Sequence, residues 1–445
     1  MIDVLIEVPE AKVFRAITPE NAGTGDEVLR YTNLESSVVR HAVDHAARSH
    51  RMWDAEPGSL EELYAAQELA SEYLVRTAHE LNYPGSNREL WAERFTQAST
   101  ERYGQPDTED VSQMFTREYW RLQELRGDER VTVGLLDYVL DAIRPFVVEK
   151  DGVVPAKVEQ KKDTDNLEIF ANAVRKKFQP LLDIVELSDV DLYNPEELVV
   201  LFGESIVWMT ENNDESWADW RVELVVDTSS VSVDSEGKVF RVGQKRQNAS
   251  KQEAIELLFH ELMIHALRAN NGYRSGDKMM ARGLPENADA EEGLAKIVGE
   301  LISRNEPSTE SDSFFGIALA LGTVDKVQRS RRHVTEVSLA RRLINDQLTG
   351  SNTMWADNFQ ENLSRSRKVV DRIYRGGPGD DESTQQAIFT KDIAYFVGYA
   401  KMRKYICEQI ESGVDPIVLF EYLTSGKFDP TNPRHVSRVK SLALN

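Results

Sequence analysis

The chain has 445 residues, of which 41% are hydrophobic and 29% are charged, and its formal net charge is −22 at pH 7. This length allows two or three domains, and the negative charge argues against general nucleic-acid binding. A single cysteine, Cys407, excludes an internal disulfide framework and a cysteine-rich metal site.

Neither targeting nor membrane insertion is indicated by the sequence. Residues 1–5 lack the basic and long apolar regions of a signal peptide. No segment approaches the roughly 18 uninterrupted apolar residues of a membrane-spanning helix. We therefore expect a cytoplasmic protein that has no membrane partner.

The first third of the chain is predicted to be helical, because apolar residues recur there at three- and four-residue spacing. Glycine and proline residues separate the periodic segments. A polar stretch over residues 149–166 is the best linker candidate. It predicts a helical N-terminal region (residues 1–150) and a second domain (residues 151–445). The predicted N-terminal helices cover residues 34–51, 59–82, 88–103, 108–125 and 131–143.

The second domain combines helices with a little sheet. Residues 167–212 look helical, whereas residues 220–226 and 238–242 alternate in hydrophobicity as strands do. A turn at residues 235–237 suggests that these two strands form a hairpin. The prediction is therefore an α+β fold, mostly α, with a small antiparallel sheet. The edge of a strand beside the next helix could pair with an extended peptide.

That helix is predicted over residues 252–269. Ser250 and Glu253 form a capping-box pattern before it, and an Asn-Asn-Gly sequence at residues 270–272 is a typical C-terminal signal. It contains His260-Glu261-x-x-x-His265. Two histidines, a glutamate between them and a later carboxylate are the components of a catalytic zinc site.

The histidine spacing conflicts with a regular helix. Five residues at 3.6 per turn leave the two side chains roughly 140° apart around the axis. A shared metal would require a π-type bulge or local unwinding between Glu261 and His265. The alternative is two partly buried histidines on a core helix. His41, His45 and His50 form a second, weaker candidate cluster.

A third ligand is expected from the helix predicted over residues 288–303. The face of Glu292 also carries Ala295 and Gly299, and such small residues allow another helix to approach closely. Periodicity therefore slightly favours Glu292 over Glu291 as a ligand. Alternatively, both glutamates only stabilise the helix N-terminus through its dipole.

Three ordered blocks of residues together resemble a known family. They are H-E-x-x-x-H-x-L-R at residues 260–268 with N-G at 271–272, E-E-G-L-A at 291–295, and R-G-G, F-T-K-D and Y-x-x-G between residues 375 and 398. The chain thus resembles the microtubule-associated tyrosine carboxypeptidases and their bacterial relatives, which are named for a Q-E-G-L-A motif. Glu291 replaces the glutamine of that motif, and the first 150 residues match nothing.

The resemblance implies a zincin-like metallopeptidase core in residues 151–445. It implies zinc bound by His260, His265 and Glu292, and Glu261 as the catalytic base. The expected reaction removes a C-terminal residue, with an aromatic residue as one candidate, from a peptide or protein by means of zinc-activated water. The alternatives are a zinc endopeptidase or amidase on the same core, and a helical binding or regulatory protein with a degenerate metal site.

A carboxypeptidase must also recognise the free carboxylate of its substrate, which calls for a cation. Arg375 and Lys391 lie in the last matched block and are the best candidates. Tyr395 follows Lys391 by four residues and could stabilise an oxyanion. The alternative is that Arg375 and Lys391 form structural ion pairs with Asp371 and Asp392.

Overall fold

A computed structural model describes residues 59–82, 85–147, 163–226, 228–304, 312–349, 355–375 and 387–443 of the chain. Helices dominate these residues, as predicted. None of the described helices combines the length and the apolar character needed to cross a bilayer. The predicted helix over residues 34–51, the linker up to residue 162 and the cluster of His41, His45 and His50 lie outside the described residues.

The regular elements are numbered in chain order. The helices are α1 (Leu60–Asn82), α2 (Arg88–Tyr103), α3 (Thr108–Glu124), α4 (Val133–Ile143), α5 (Asp163–Lys177), α6 (Gln179–Glu186), α7 (Pro195–Asn212), α8 (Lys251–Leu257), a π-helix (Leu258–Ala266), α9 (Leu267–Arg274), α10 (Lys278–Arg282), α11 (Ala288–Ser303), α12 (Asp312–Leu321), α13 (Arg331–Thr349), α14 (Trp355–Ile373), α15 (Ile393–Glu411), α16 (Pro416–Leu423) and α17 (Pro433–Ala443). The strands are β1 (Leu192–Tyr193), β2 (Arg221–Val225), β3 (Val231–Asp234), β4 (Val239–Gly243) and β5 (Ala249–Ser250).

The described residues form two compact units. The first unit falls within Met1–Glu159 and Glu310–Ile393, and the second within Gln160–Thr309 and Ala394–Asn445. This division differs from the predicted boundary between residues 150 and 151, because helices α12 to α14 belong with the N-terminal helices. Each unit is therefore built from two separate stretches of the chain.

Apolar packing explains why the late stretch belongs to the first unit. Leu339 of α13 and Leu363 of α14 belong to one apolar cluster, and Leu135 of α4 packs against that cluster. Phe389 packs against Phe95 of α2, with ring centroids 6.1 Å apart. Their apolar contacts pair residues that are far apart in sequence, so no local pattern could have revealed them.

The second unit contains two small sheets and one large apolar core. In the larger sheet the strand order is β2-β4-β3, so β3 is an edge strand. It packs beside the π-helix. In the smaller sheet, β1 and β5 are antiparallel and bring Ser250, the start of α8, opposite Leu192.

The predicted hairpin between residues 220–226 and 238–242 is wrong. Strand β2 pairs with β4 in parallel, with Arg221 opposite Val239. The antiparallel partner of β4 is β3, which the sequence prediction missed, and Val231 lies opposite Val242. The turn at residues 235–237 therefore joins β3 to β4. Hydrophobic alternation indicates that a strand is present but does not reveal its partner, and β3 has only four residues.

Two glycines set the distance between helices α11 and α15. A Cβ added at Gly293 would lie 2.0 Å from the carbonyl carbon of Gly398. A Cβ added at Gly398 would lie 1.8 Å from the carbonyl oxygen of Asp289. The backbones of the two helices therefore touch directly, and any larger side chain would force them apart.

We expect Gly398→Ala to lower the free energy of unfolding by about 1–3 kcal/mol or more, because its methyl group overlaps a backbone carbonyl. Gly203→Ala is the matched control. Gly203 lies inside α7 of the same unit with open space around its Cβ position, so alanine should stabilise the protein by roughly 0.5–1 kcal/mol. Urea denaturation of the two variants measures the difference. Equal stabilities would contradict the proposed helix contact.

Candidate metal centre

The histidine-bearing helix starts with the predicted capping box. The Glu253 N–H donates to Ser250 Oγ over 3.3 Å, and the Ser250 N–H donates to Glu253 Oε2 over 2.8 Å. From there α8, the π-helix and α9 run without interruption to Arg274, five residues beyond the predicted end. Gly272 does not end the helix. Its missing Cβ admits the backbone of α10, since a Cβ there would lie 2.4 Å from the Ala281 nitrogen.

The predicted bulge is confirmed. The helix has π geometry from Leu258 to Ala266, a longer segment than the predicted interval between Glu261 and His265. A π-helix hydrogen-bonds residue i to residue i+5. His260 and His265 are five residues apart, so this winding places them one above the other. The spacing that a regular α-helix cannot use is therefore suited to a shared metal ion.

The structure brings His260, His265 and Glu292 together. Their ligand atoms all lie within 4.8 Å of one another. The two histidine Nε2 atoms are 3.2 Å apart, and Glu292 Oε2 lies 3.6 Å from His265 Nε2 and 3.9 Å from His260 Nε2. Ligand atoms of a tetrahedral zinc site, with bonds of about 2.0–2.1 Å, are separated by about 3.4 Å. The three side chains thus fit a metal ion with little movement.

The Glu292 carboxylate provides an independent sign that the cluster is suited to a cation. Its Oε2 atom is buried and has no hydrogen-bond partner among the residues that the structure describes. A buried carboxylate oxygen without a partner costs free energy, which a bound cation would offset. Glu292, rather than Glu291, faces the two Nε2 atoms, in agreement with the preference from periodicity.

Glu291 has a different environment. Its Oε1 lies 2.8 Å from His265 Nδ1, the ring nitrogen that does not face His260. Its Oε2 accepts a hydrogen bond from Arg268, whose side chain is also buried. Neither Arg268 nor Lys427, which lies 3.2 Å from Glu291, was among the predicted site residues. Arg268 was recognisable only as the last residue of the first matched block.

Glu261 is buried next to the first histidine, with 7% of its surface exposed. Burial raises the pKa of Glu261 to about 7; the positive charge of His265 opposes this rise and the negative charge of Glu292 adds to it. A carboxyl group with a pKa near neutrality can both accept and return a proton at physiological pH. These properties suit a general base.

The pKa values of the two histidines are shifted in opposite directions. Burial lowers the pKa of His260 to about 4, and the charge of His265 lowers it further. Burial also disfavours the charged form of His265. The Glu292 and Glu291 carboxylates outweigh this effect and raise the pKa of His265 to about 10. The pair therefore favours a single positive charge, which is on His265.

We expect zinc binding to release at least one proton per chain at a pH of about 8, because His265 can bind a metal only after losing its proton and because zinc also lowers the pKa of a bound water to about 7. Because the Glu292 and Glu291 carboxylates raise the pKa of His265, the apparent zinc affinity should rise with pH through the neutral range. Isothermal titration calorimetry in two buffers of different ionisation enthalpy measures the released proton. Identical heats in both buffers would contradict this assignment.

The other predicted site residues are distributed over both units. Tyr395 lies half-buried in α15 of the second unit, whereas Arg375 and Lys391 belong to the first unit. The structure thus does not bring these two cations into the unit that carries the metal ligands. The Lys391 Nζ atom lies over the ring of Tyr103, 6.0 Å from its centroid.

The acidic residues considered as their partners form other ion pairs. Asp371 pairs with Arg331. The Asp392 carboxylate lies 2.8 Å from Arg372.

The charge of a further cation of the second unit, Arg246, interacts with that of Glu261. Arg246 follows β4, and its backbone N–H donates to the Gly243 carbonyl oxygen over 3.1 Å. Its Nε atom is buried without a hydrogen-bond partner among the described residues. Glu253, Glu261 and Glu256 are the acidic groups whose charges act on it. The sequence contained no signal for Arg246, because an arginine in a polar loop is usually a surface residue.

Comparisons with protein-family models, with curated proteins and with solved structures found no match to this chain. The candidate site therefore stands on its own geometry.

Proposed function

We propose that this chain is a zinc metallopeptidase with a zincin-like core, and that it acts as a carboxypeptidase. The main support is that the ligand atoms of His260, His265 and Glu292 converge. In addition, Oε2 of Glu292 is buried and has no hydrogen-bond partner among the described residues. Nitrogen and oxygen ligands in a three-residue set are typical of catalytic zinc, which keeps a fourth position open.

Zinc in this position would supply a Lewis acid and a water-derived nucleophile at neutral pH. Glu261 would accept the proton of the attacking water and deliver it to the leaving amine. Its burial supports this role, because it raises the pKa to about 7. Tyr395 is proposed as a hydrogen-bond donor to the developing oxyanion.

A peptide substrate is favoured by the edge strand beside the π-helix. In the described sheet, β3 is paired only with β4. Its other edge could hydrogen-bond with an extended peptide and align that peptide along the histidine-bearing helix. A small-molecule amide would gain nothing from such an edge. The proposed substrate is therefore the C-terminal end of a peptide or protein, encountered in the cytoplasm.

Removal of the metal tests the general proposal. Purified protein should contain zinc, lose peptidase activity after chelation and recover it when zinc is restored. Protein that contains no zinc and takes up none would overturn the proposal and leave the helical binding or regulatory protein as the remaining interpretation.

We expect loss of the cation that binds the substrate carboxylate to lower kcat/KM about 10- to 100-fold on a peptide with a free C-terminus and much less on its amidated counterpart, because a charged hydrogen bond is lost. The candidate cations are compared in parallel as Arg375→Ala, Lys391→Met and Arg246→Met. The products are identified by mass spectrometry. An equal loss on both peptides would exclude a carboxylate role for that residue. Wild-type protein that cleaves amidated peptides equally well would favour the endopeptidase or amidase.

A further inference from the structure

Glu291 connects the metal centre with a segment located much later in the chain. Its Oε1 lies 2.8 Å from His265 Nδ1 and 3.2 Å from Lys427 Nζ. Its Oε2 accepts a hydrogen bond from Arg268 Nη1. Glu291 is 6% exposed and Arg268 is 1% exposed. Both carboxylate oxygens are thus held by charged partners away from solvent.

The two cations are themselves fixed by the backbone. Arg268 Nε donates to the Gly426 carbonyl oxygen over 2.7 Å, and Arg268 Nη2 donates to the Phe428 carbonyl oxygen. The Lys427 N–H donates to the Met280 carbonyl oxygen over 2.7 Å. Five donors in a planar fork suit arginine to this kind of multiple contact. The Glu291 carboxylate therefore has little freedom to move.

We infer that Glu291 is a positioning residue, which accepts the Nδ1 hydrogen of His265 and so presents Nε2 of that ring to the metal ion. The inference rests on one part of the proposed function, namely that a metal ion binds to His265. Histidine ligands of metals commonly donate their other ring hydrogen to a carboxylate, which fixes the tautomer and the ring orientation. The 2.8 Å contact on Nδ1 and the Nε2 atoms 3.2 Å apart match this arrangement.

The carboxylate, and not merely its shape, is needed here. Arg268 and Lys427 place two buried positive charges beside position 291. A neutral glutamine would leave both cations without their shared counter-ion and would be a weaker acceptor for His265. The glutamate at this position, where the resembling motif has glutamine, thus fits the cations that surround it.

Zinc affinity and the His265 imidazole proton test the inference. In the zinc-loaded protein, His265 Nδ1–H should give a downfield proton resonance that disappears in His265→Gln. Glu291→Ala should abolish this resonance and raise the zinc Kd, corrected for the proton released from His265, about 10- to 100-fold. Glu291→Gln should shift the resonance upfield and raise the Kd by a smaller factor, and it provides the test if the alanine variant does not fold. Glu300→Gln removes another buried carboxylate of α11 and should leave the Kd unchanged.

An unchanged Kd and an unchanged proton resonance in Glu291→Gln and Glu291→Ala would overturn the inference. This outcome is distinguishable from failure of the proposed function. Wild-type protein that binds zinc tightly but cleaves no peptide would refute the peptidase proposal and leave the role of Glu291 open to the same measurement. Full peptidase activity with an unchanged Kd in the Glu291 variants would refute the inference alone.

Discussion

His260→Ala is expected to leave the purified protein without stoichiometric zinc, whereas the wild-type chain should hold about one ion. The ligand atoms of three side chains lie within 4.8 Å of one another. A site that keeps only two of these ligands binds zinc far more weakly. The same loss is expected for Glu292→Gln, which removes the charge of the oxygen that faces both histidines. Elemental analysis after dialysis measures the metal content of each variant.

His79→Ala is the matched control for this measurement. His79 is a half-buried histidine near the end of α1 in the first unit, and its loss should leave the zinc content at the wild-type level. A full complement of zinc in His260→Ala, with the fold intact by circular dichroism, would show that the metal binds elsewhere. In that case His260, His265 and Glu292 would be only a partly buried polar cluster.

Glu261→Gln is expected to lower kcat/KM for peptide hydrolysis about 10²- to 10⁴-fold while the zinc content stays unchanged. Glutamine preserves the volume of the buried side chain but cannot take up a proton. Glu256→Gln is the control, because Glu256 lies on α8, five residues before Glu261, and is not among the proposed ligands. Activity is followed by mass spectrometry of a peptide with a free C-terminus.

Two results would remove Glu261 from the proposed mechanism. One is activity close to that of the wild type in Glu261→Gln. The other is a loss of zinc in parallel with the loss of activity, because it would assign to Glu261 a structural role at the metal and not a proton transfer. Loss of activity with the metal retained is the expected signature of a general base.

The grouping of His260, His265 and Glu292 was largely predictable because its signals are local. The arithmetic of five residues at 3.6 per turn required a bulge near His265, and the structure has a π-helix there. Small residues on one face of α11 favoured Glu292 over Glu291, and its Oε2 faces both histidines. Both predictions depended on residues within one helix, where periodicity fixes direction.

The surroundings of the centre could not be predicted, because they depend on contacts between distant parts of the chain. Arg268 donates to carbonyl groups of Gly426 and Phe428, and a backbone carbonyl carries no sequence signal. The parallel pairing of β2 with β4 could not be predicted either, since side chains alternate between the two faces of a strand whether its neighbour is parallel or antiparallel. The grouping of Glu310–Ile393 with the N-terminal helices has the same cause.

The anchoring of Arg268 by residues 426–428 has a consequence for biosynthesis. The ribosome produces the candidate ligands His260, His265 and Glu292 well before residues 426–428, so a growing chain lacks both Lys427, which contacts Glu291, and the carbonyl groups that anchor Arg268. Arg268 would then be a buried cation that lacks its carbonyl partners, which opposes closure of the core around it. In a nascent chain the cluster of His260, His265 and Glu292 should therefore become ordered late, after the downstream segment has docked.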